Sequence, residues 1–288
     1  MANVRDIRRR IRSVKNIQQI TRAMKFVSAS RLRRAHDRVL AARPYANRML
    51  AVLNSIVSRI EDRSHPLLAR PKGDRILLMV ITGDKGLCGA FNTNIIKAAI
   101  ALLEREHAGK DTSLSLVGRR GVDFFKKRPY RVRQQYVNIM SAIDYSRART
   151  IAQSLIADFV AHEVDAVYLV YNEFKSVIQQ RIVVEPLLPI QEIEVQEQEV
   201  PIDYIYEQPA REIFDHLLPK HVETQVFRAL IESAASEHGA RMTAMDAATN
   251  NAREVIDTLT LNMNRVRQAT ITRELIEIVS GADALKQG

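Results

Sequence analysis

From Val4 onward, apolar residues recur at Ile7, Ile11, Val14, Ile17, Ile20, Met24 and Val27, in steps of 3, 4, 3, 3, 3, 4 and 3. That spacing predicts a helix with one narrow apolar stripe. The stripe resumes at Leu32, Ala35, Val39 and Ala42, then at Met49, Leu53, Ile56 and Ile60, and no glycine interrupts the first 60 residues. A single helix of that length spans about 85 Å. Pro44 removes one backbone donor and crowds the preceding turn, so a bend or a local break is expected near Arg43. The far end repeats the design. After Pro209, apolar positions run through Leu217, Val226, Leu230, Ala234, Met242, Met245, Ala252, Ile256, Leu259, Met263 and Val266. Between Ala229 and Ala252 eight residues are alanine, with Ser233, Ser236 and Gly239 among them, so backbones can approach closely along this seam. Pro219 predicts a kink or a separate first turn before Lys220.

A helix almost 60 residues long cannot bury a one-sided stripe in a domain of ordinary size, so it needs a partner of comparable length. The two ends supply each other, and a compact middle makes their pairing antiparallel. The expected fold is α/β: a long antiparallel two-helix coiled coil from residues 1–60 and 209–288, with a Rossmann-like α/β domain at 61–208. If Ile56 lies opposite Pro209, equal rise per residue brings residue 1 to roughly residue 265. The remaining C-terminal residues then project beyond the pair and carry Ile271, Leu275, Ile276, Ile278 and Val279 with them.

In the middle, Arg75–Thr82 reads as a buried strand, followed by the loop GDKGLCG and an amphipathic helix from Asn92 to Glu106. A second strand at 113–118, a short helix Arg120–Lys127, a helix Tyr145–His162 and strands at 165–174 and 182–190 complete the set. Alternating strands and helices predict a parallel or mixed sheet covered on its faces. The loop invites a nucleotide-binding reading, because Gly83, Gly86 and Gly89 follow a strand. Their spacing matches neither G-x-G-x-x-G nor a P-loop, since Gly89 is followed by Ala90 and Phe91. The preferred reading is a tight strand-to-helix turn with no nucleotide or other cofactor.

Charge changes the picture more than overall composition does. Residues 1–48 hold fourteen Arg and Lys against Asp6 and Asp37, whereas 185–207 holds seven acids and no base. The basic block suggests a polyanionic partner: nucleic acid, anionic lipid or an acidic protein surface. An apolar seam without interleaved aromatics argues against nucleic acid. The seven histidines are scattered, with no H-E-x-x-H; His216 and His221 read as surface residues rather than metal ligands. Cys88 reads as a small packed residue rather than a nucleophile. With no apolar run long enough to span a bilayer and no catalytic constellation, the expectation is a non-catalytic protein without transmembrane helix or signal peptide.

Three segments, IRRRIRSVKNIQQITRAMKFVSASRLRRA, GDKGLCGAFN and RQATITRELIEIVSGADAL, resemble the N-terminal helix, central-domain turn and C-terminal signature of bacterial F-type ATP synthase gamma subunits. The last is the most specific, with Ile271, Thr272, Glu274, Glu277, Gly281 and Ala282 at the pattern positions. The resemblance implies a central rotor shaft inside a ring of three alpha and three beta subunits. It also implies an epsilon subunit alongside and a c-subunit ring below, on the cytoplasmic face of the bacterial plasma membrane. It implies rotation that couples proton or sodium flow to ATP synthesis, and no nucleic-acid or small-molecule ligand. By the same resemblance, Arg267, Gln268, Thr272 and Glu274 match a polar belt that engages beta-subunit loops. Met24 and Lys25 match the part of the first helix facing an acidic beta segment, a partner that suits Arg8, Arg9 and Arg10 as well. Tyr204, Ile205, Tyr206 and Glu207 match the foot on the c ring.

Overall fold

The fold is described from a computed structural model, which covers residues 3–57, 65–69, 71, 73–106, 109–177, 179–191 and 209–287. The elements run α1 (Val4–Val57), β1 (Arg75–Ile81), α2 (Phe91–Ala101), β2 (Asp111–Val117), α3 (Arg119–Phe125), β3 (Arg131–Tyr136), α4 (Tyr145–Val160), β4 (Ala166–Phe174), β5 (Gln180–Leu188) and α5 (Ala210–Gln287). They form two compact units: one holds the chain up to Val27 and from Met242 onward, the other Ser28–Arg241.

In the larger unit a five-stranded mixed sheet has the order β3-β2-β1-β4-β5. The first four strands are parallel and β5 runs antiparallel to β4. Side chains alternate across β1. Ile76, Leu78 and Val80 enter one core with Phe91, Ile95 and Phe125 from α2 and α3. Leu77, Met79 and Ile81 enter the other, with Ile151 and Leu155 from α4 and the facing residues of α1 and α5. Such continuous apolar runs are what a strand covered on both faces requires. On the second face Leu53 and Ile56 of α1 are buried in one cluster with Phe214, Leu218, Val222 and Val226 of α5, so the two long helices are part of the domain's own core.

Polar ties fix α5 to the sheet. Arg228 donates at 2.7 Å to both oxygens of Glu185 on β5, and Tyr171 on β4 donates to the same carboxylate at 3.0 Å. Asn172 exchanges bonds with the helix through Ser233 and Ser236, which receive its N–H and donate to its carbonyl. These small residues let the helix lie close enough for a strand backbone to reach it.

Neither proline ends its helix. α1 continues through Pro44 and α5 through Pro219, with no separate first turn before Lys220. The cost of an interior proline is about 3 kcal/mol. Phe214, Leu218 and Val222 flank Pro219 and are at most 1% exposed, and burying each such side chain returns about 1.5–3 kcal/mol. Val39 and Met49 bracket Pro44 in the same way. Packing outweighs the missing donor.

One strand was not expected. β3, RVRQQY, lies at the sheet edge and lacks an apolar alternation. Gln134 holds it instead: its amide donates to Ser154 Oγ at 2.7 Å and Asp158 Oδ2 at 3.0 Å, and its carbonyl accepts from Ser115 and Tyr136. His221 also departs from expectation. His216 is exposed, but His221 is half-buried, and burial, reinforced by Arg228, pushes its pKa down to about 4.

In the smaller unit the two long helices pair antiparallel, since Thr21 meets Thr249 at 2.8 Å and Lys25 meets Asp246 at 2.6 Å. Here the seam of α1 is not the stripe expected. Ile17, Ile20 and Val27 are 50%, 59% and 52% exposed, whereas Thr21 is 8% exposed. The covered positions Ile7, Ile11, Val14, Gln18, Thr21 and Lys25 step 4, 3, 4, 3, 4, and the same rhythm continues through Ser28, Leu32, Ala35, Val39 and Ala42. Each step of three falls about 60° short of a turn, so the threes from Val14 to Ile20 walk roughly 120° off the face. A strict heptad keeps to it, although its middle positions are polar.

Each hydroxyl also reaches a carbonyl of its own helix, Thr249 that of Met245 at 2.7 Å and Thr21 that of Gln18 at 3.0 Å, so either one can donate across the seam. Thr21→Val alone should cost about 0.5–1.5 kcal/mol, because Thr249 then faces a methyl group across a dry seam. The double change Thr21→Val with Thr249→Val should recover most of that, as read from thermal melts of the purified chain by circular dichroism.

Candidate functional site

Two places carry the functional signals in the sequence: the glycine-rich loop, and the exposed surfaces of α1 and α5 in the smaller unit. The loop stands at the carboxyl ends of β1 and β2, where open α/β sheets seat phosphates. In this chain its own acids fill that crevice. Asp84 Oδ1 accepts from the backbone N–H of Arg119 at 3.0 Å and of Asn138 at 2.9 Å, and Oδ2 accepts from Met140 N–H at 3.2 Å. Three donors that could have met a phosphate are thereby occupied.

From the other side α5 delivers Glu237 and Arg241, a buried ion pair one helical turn apart, 6% and 8% exposed. Arg241 also donates to the Gly86 carbonyl through Nε at 3.3 Å and Nη2 at 3.2 Å, fastening the loop to the helix. The Glu237 carboxyl lies so close to Gly83 that a Cβ there would come within 2.8 Å of it. A side chain at 83 would have to push this carboxylate away from its pairing with Arg241. At the end of β2, Gly118 adopts φ +89°, and a Cβ would stand 2.1 Å from the Thr82 carbonyl oxygen. Cys88, within the loop, is buried, and burial together with the Glu237 charge pushes its thiol pKa up, which favours the protonated thiol. The geometry is that of a tight turn clamped to a helix. Among the described residues no group of His, Cys, Asp and Glu is arranged to hold a metal ion.

The partner-contact candidates lie in the smaller unit. Arg8, Arg9 and Arg10 are all exposed, and Arg9 donates to Asp6 at 2.6 Å on the open helix surface. Met24 is half-buried, and Lys25 is held by Asp246 rather than free in solvent. On α5, residues 259–266 still include half-buried positions, but from Arg267 to Ala282 every residue is exposed, Gln268, Thr272 and Glu274 among them. Ile271, Leu275, Ile276, Ile278 and Val279 are 48–68% exposed on this bare helix. Tyr204, Ile205, Tyr206 and Glu207 lie outside the described residues.

Residues assigned by their spacing to the seam belong to this surface instead. Ile17, Ile20 and Val27, joined by Phe26 at 61% exposure, form an outward apolar stripe beside Met24. A 4-3 rhythm traced back from Leu32 would have separated them from the covered positions. Among the described residues no helix is long and apolar enough to cross a membrane.

Arg241→Leu should destabilise the chain by about 3–5 kcal/mol, because it strands the Glu237 carboxylate in the crevice. Burial already holds the Glu237 pKa above the ordinary carboxylate value. Removing its cation raises that pKa further, so the defect should be largest at neutral pH and shrink as pH falls towards about 4, where the unfolded carboxyl also takes up a proton. Urea denaturation across that range checks both the size and the sign.

Comparison with known proteins agrees with this architecture along the whole chain. The family described as ATP synthase (ATP-synt) matches residues 3–285. The ATP synthase gamma chain of Solibacter usitatus is 54% identical over 288 residues, covering 99% of each chain. Among solved structures, a chain of the central stalk and c ring of the Tetrahymena thermophila mitochondrial ATP synthase is 27% identical. Its TM-score is 0.59, and the match covers 80% of this chain and 99% of that one. A chain from the Euglena gracilis mitochondrial enzyme, 20% identical, shares the fold at a TM-score of 0.71 over 98% of this chain and 94% of its own. A helix pair built on a strict heptad, a sheet domain whose phosphate crevice is closed by its own acids, and these full-length likenesses together show that the chain belongs to the ATP synthase gamma chain family.

Proposed function

We propose that this chain turns as the central shaft of an F-type ATP synthase, coupling ion flow through the membrane sector to conformational change at catalytic sites on the beta subunits. The gamma chain is a non-catalytic subunit of that complex. The observation that carries the mechanical reading is the bare end of α5. Its five large apolar residues are exposed, and each forgoes about 1.5–3 kcal/mol of burial unless something surrounds it. A ring of three alpha and three beta subunits supplies an apolar collar.

A helix inside such a collar presents different residues in different directions. Its orientation therefore favours a different conformation at each of three surrounding sites, and rotation passes each site through all of them. The polar residues Arg267, Gln268, Thr272 and Glu274 would engage beta-subunit loops, and Arg8, Arg9, Arg10, Met24 and Lys25 would face an acidic beta segment. Tyr204, Ile205, Tyr206 and Glu207 would rest on the c ring, with an epsilon subunit alongside. In functional terms the chain divides into a shaft, 1–60 and 209–288, and a foot, 61–208. The bacterial relatives support a position on the cytoplasmic face of the plasma membrane, held there by the c ring.

The test is expression with the alpha, beta and epsilon subunits. The full chain should co-purify with them as a stable ATPase particle; failure to assemble would overturn the reading. Deleting 271–288 should weaken coupling between ATP hydrolysis and rotation while the sheet domain keeps its melting transition, and undiminished torque would show the bare helix to be dispensable. Reversing the charges of Arg8, Arg9 and Arg10 together should lower assembly or turnover, read from particle yield and ATPase rate.

A further inference from the structure

Arg31, Arg34 and Arg38 stand at i, i+3 and i+7 on α1, a single stripe of that helix. With His238 of α5 and Ser141, which follows β3, they line a pocket of about 240 Å³ whose remaining walls are apolar. No carboxylate lines it. Arg38 donates to the Ile143 carbonyl at 3.2 Å. Arg31 and Arg34 form no hydrogen bond or ion pair among the described residues. The acid that Arg31 acts on at longer range, Glu237, is already bonded to Arg241.

The hydrogen-bonding roles at the rim can be assigned. His238 Nδ1 lies 3.4 Å from an Arg241 guanidinium nitrogen. A guanidinium can only donate, so Nδ1 accepts and Nε2 carries the ring proton. Ser141 donates its hydroxyl proton to the Asn138 carbonyl at 3.1 Å. The charged groups left over are all donors, and three guanidinium groups on one stripe repel one another until an anion sits among them. The complementary ligand accepts hydrogen bonds, carries more than one negative charge and is compact. Volume narrows the choice: pockets for drug-sized ligands start at about 300 Å³, and water occupies about 30 Å³ per molecule. That space suits a tetrahedral oxyanion with a few waters.

We propose that this pocket binds inorganic phosphate through Arg31, Arg34 and His238. Burial, with the charges of Arg241, Arg31 and Arg34, lowers the His238 pKa to about 4. The ring is therefore neutral at physiological pH and offers one N–H. The inference departs from the expectation of no small-molecule ligand. It rests on the larger unit alone and does not depend on the rotor reading.

The test is titration of the full chain with inorganic phosphate at constant ionic strength in chloride, by calorimetry and by ³¹P line broadening. Saturable one-site binding is expected, with sulfate competing. Arg31→Gln and Arg34→Gln should each weaken it about tenfold, the loss of one charge-assisted hydrogen bond. Lys97→Gln, which removes an exposed cation on α2, should leave the affinity unchanged. Because Arg31 and Arg34 are exposed, both variants should keep the parent circular dichroism spectrum. Absence of saturable binding, or equal weakening by all three substitutions, would overturn the site. A tetraglutamate peptide that displaced phosphate at equal molar concentration would also overturn it, by assigning the arginines to a protein carboxylate.

Discussion

The structure depends on the requirement that a one-sided helix longer than any ordinary domain be covered along its length. α1 has 54 residues and cannot supply its own cover. α5 supplies it in both units, by direct helix pairing in the smaller one and by a shared core with the sheet in the larger. The sheet domain is built around this necessity, because one of its two cores includes residues of both long helices. A domain whose interior includes segments of the shaft cannot turn independently of them without exposing that interior, so apolar packing also serves as mechanical attachment.

Polar interactions refine this attachment more than they drive it. Arg228 with Glu185, and Arg241 with Glu237 and the Gly86 carbonyl, fasten α5 at the sheet edge and at the strand ends. Ion pairs of this kind repay their desolvation only when the geometry is well satisfied. Their contribution is to fix position, since apolar surfaces tolerate sliding and a bonded guanidinium does not. In the smaller unit Thr21 with Thr249, and Lys25 with Asp246, do the same for helix register, as polar groups in heptad seams do elsewhere.

Much of the fold was legible in the sequence because periodicity and burial agree over long stretches. β1 and α4 fall within a residue or two of their expected bounds, since each is a run of residues with one environment. β3 was missed because a polar edge strand held through Gln134 has no apolar signature. The seam of α1 was misread because Ile17, Ile20 and Val27 are apolar yet exposed, and hydropathy does not say which face an isoleucine occupies. A break at either proline did not follow, because local cost was weighed without the packing on either side. Of the candidate partner contacts, the exposed end of α5 followed from unequal helix lengths, whereas the intramolecular partner of Lys25 could not, because Asp246 is near it only in the folded chain.

The closeness of Gly83 to Glu237 ties together two positions far apart in the chain. Neither can drift alone: a side chain at 83 would collide with the carboxylate, and a phosphate in the crevice would meet its charge. A lineage that shortened residue 237 would free the strand end for an anion while loosening the helix from the loop. Opening the strand end to an anion and keeping α5 fastened to the loop are therefore alternatives for this chain.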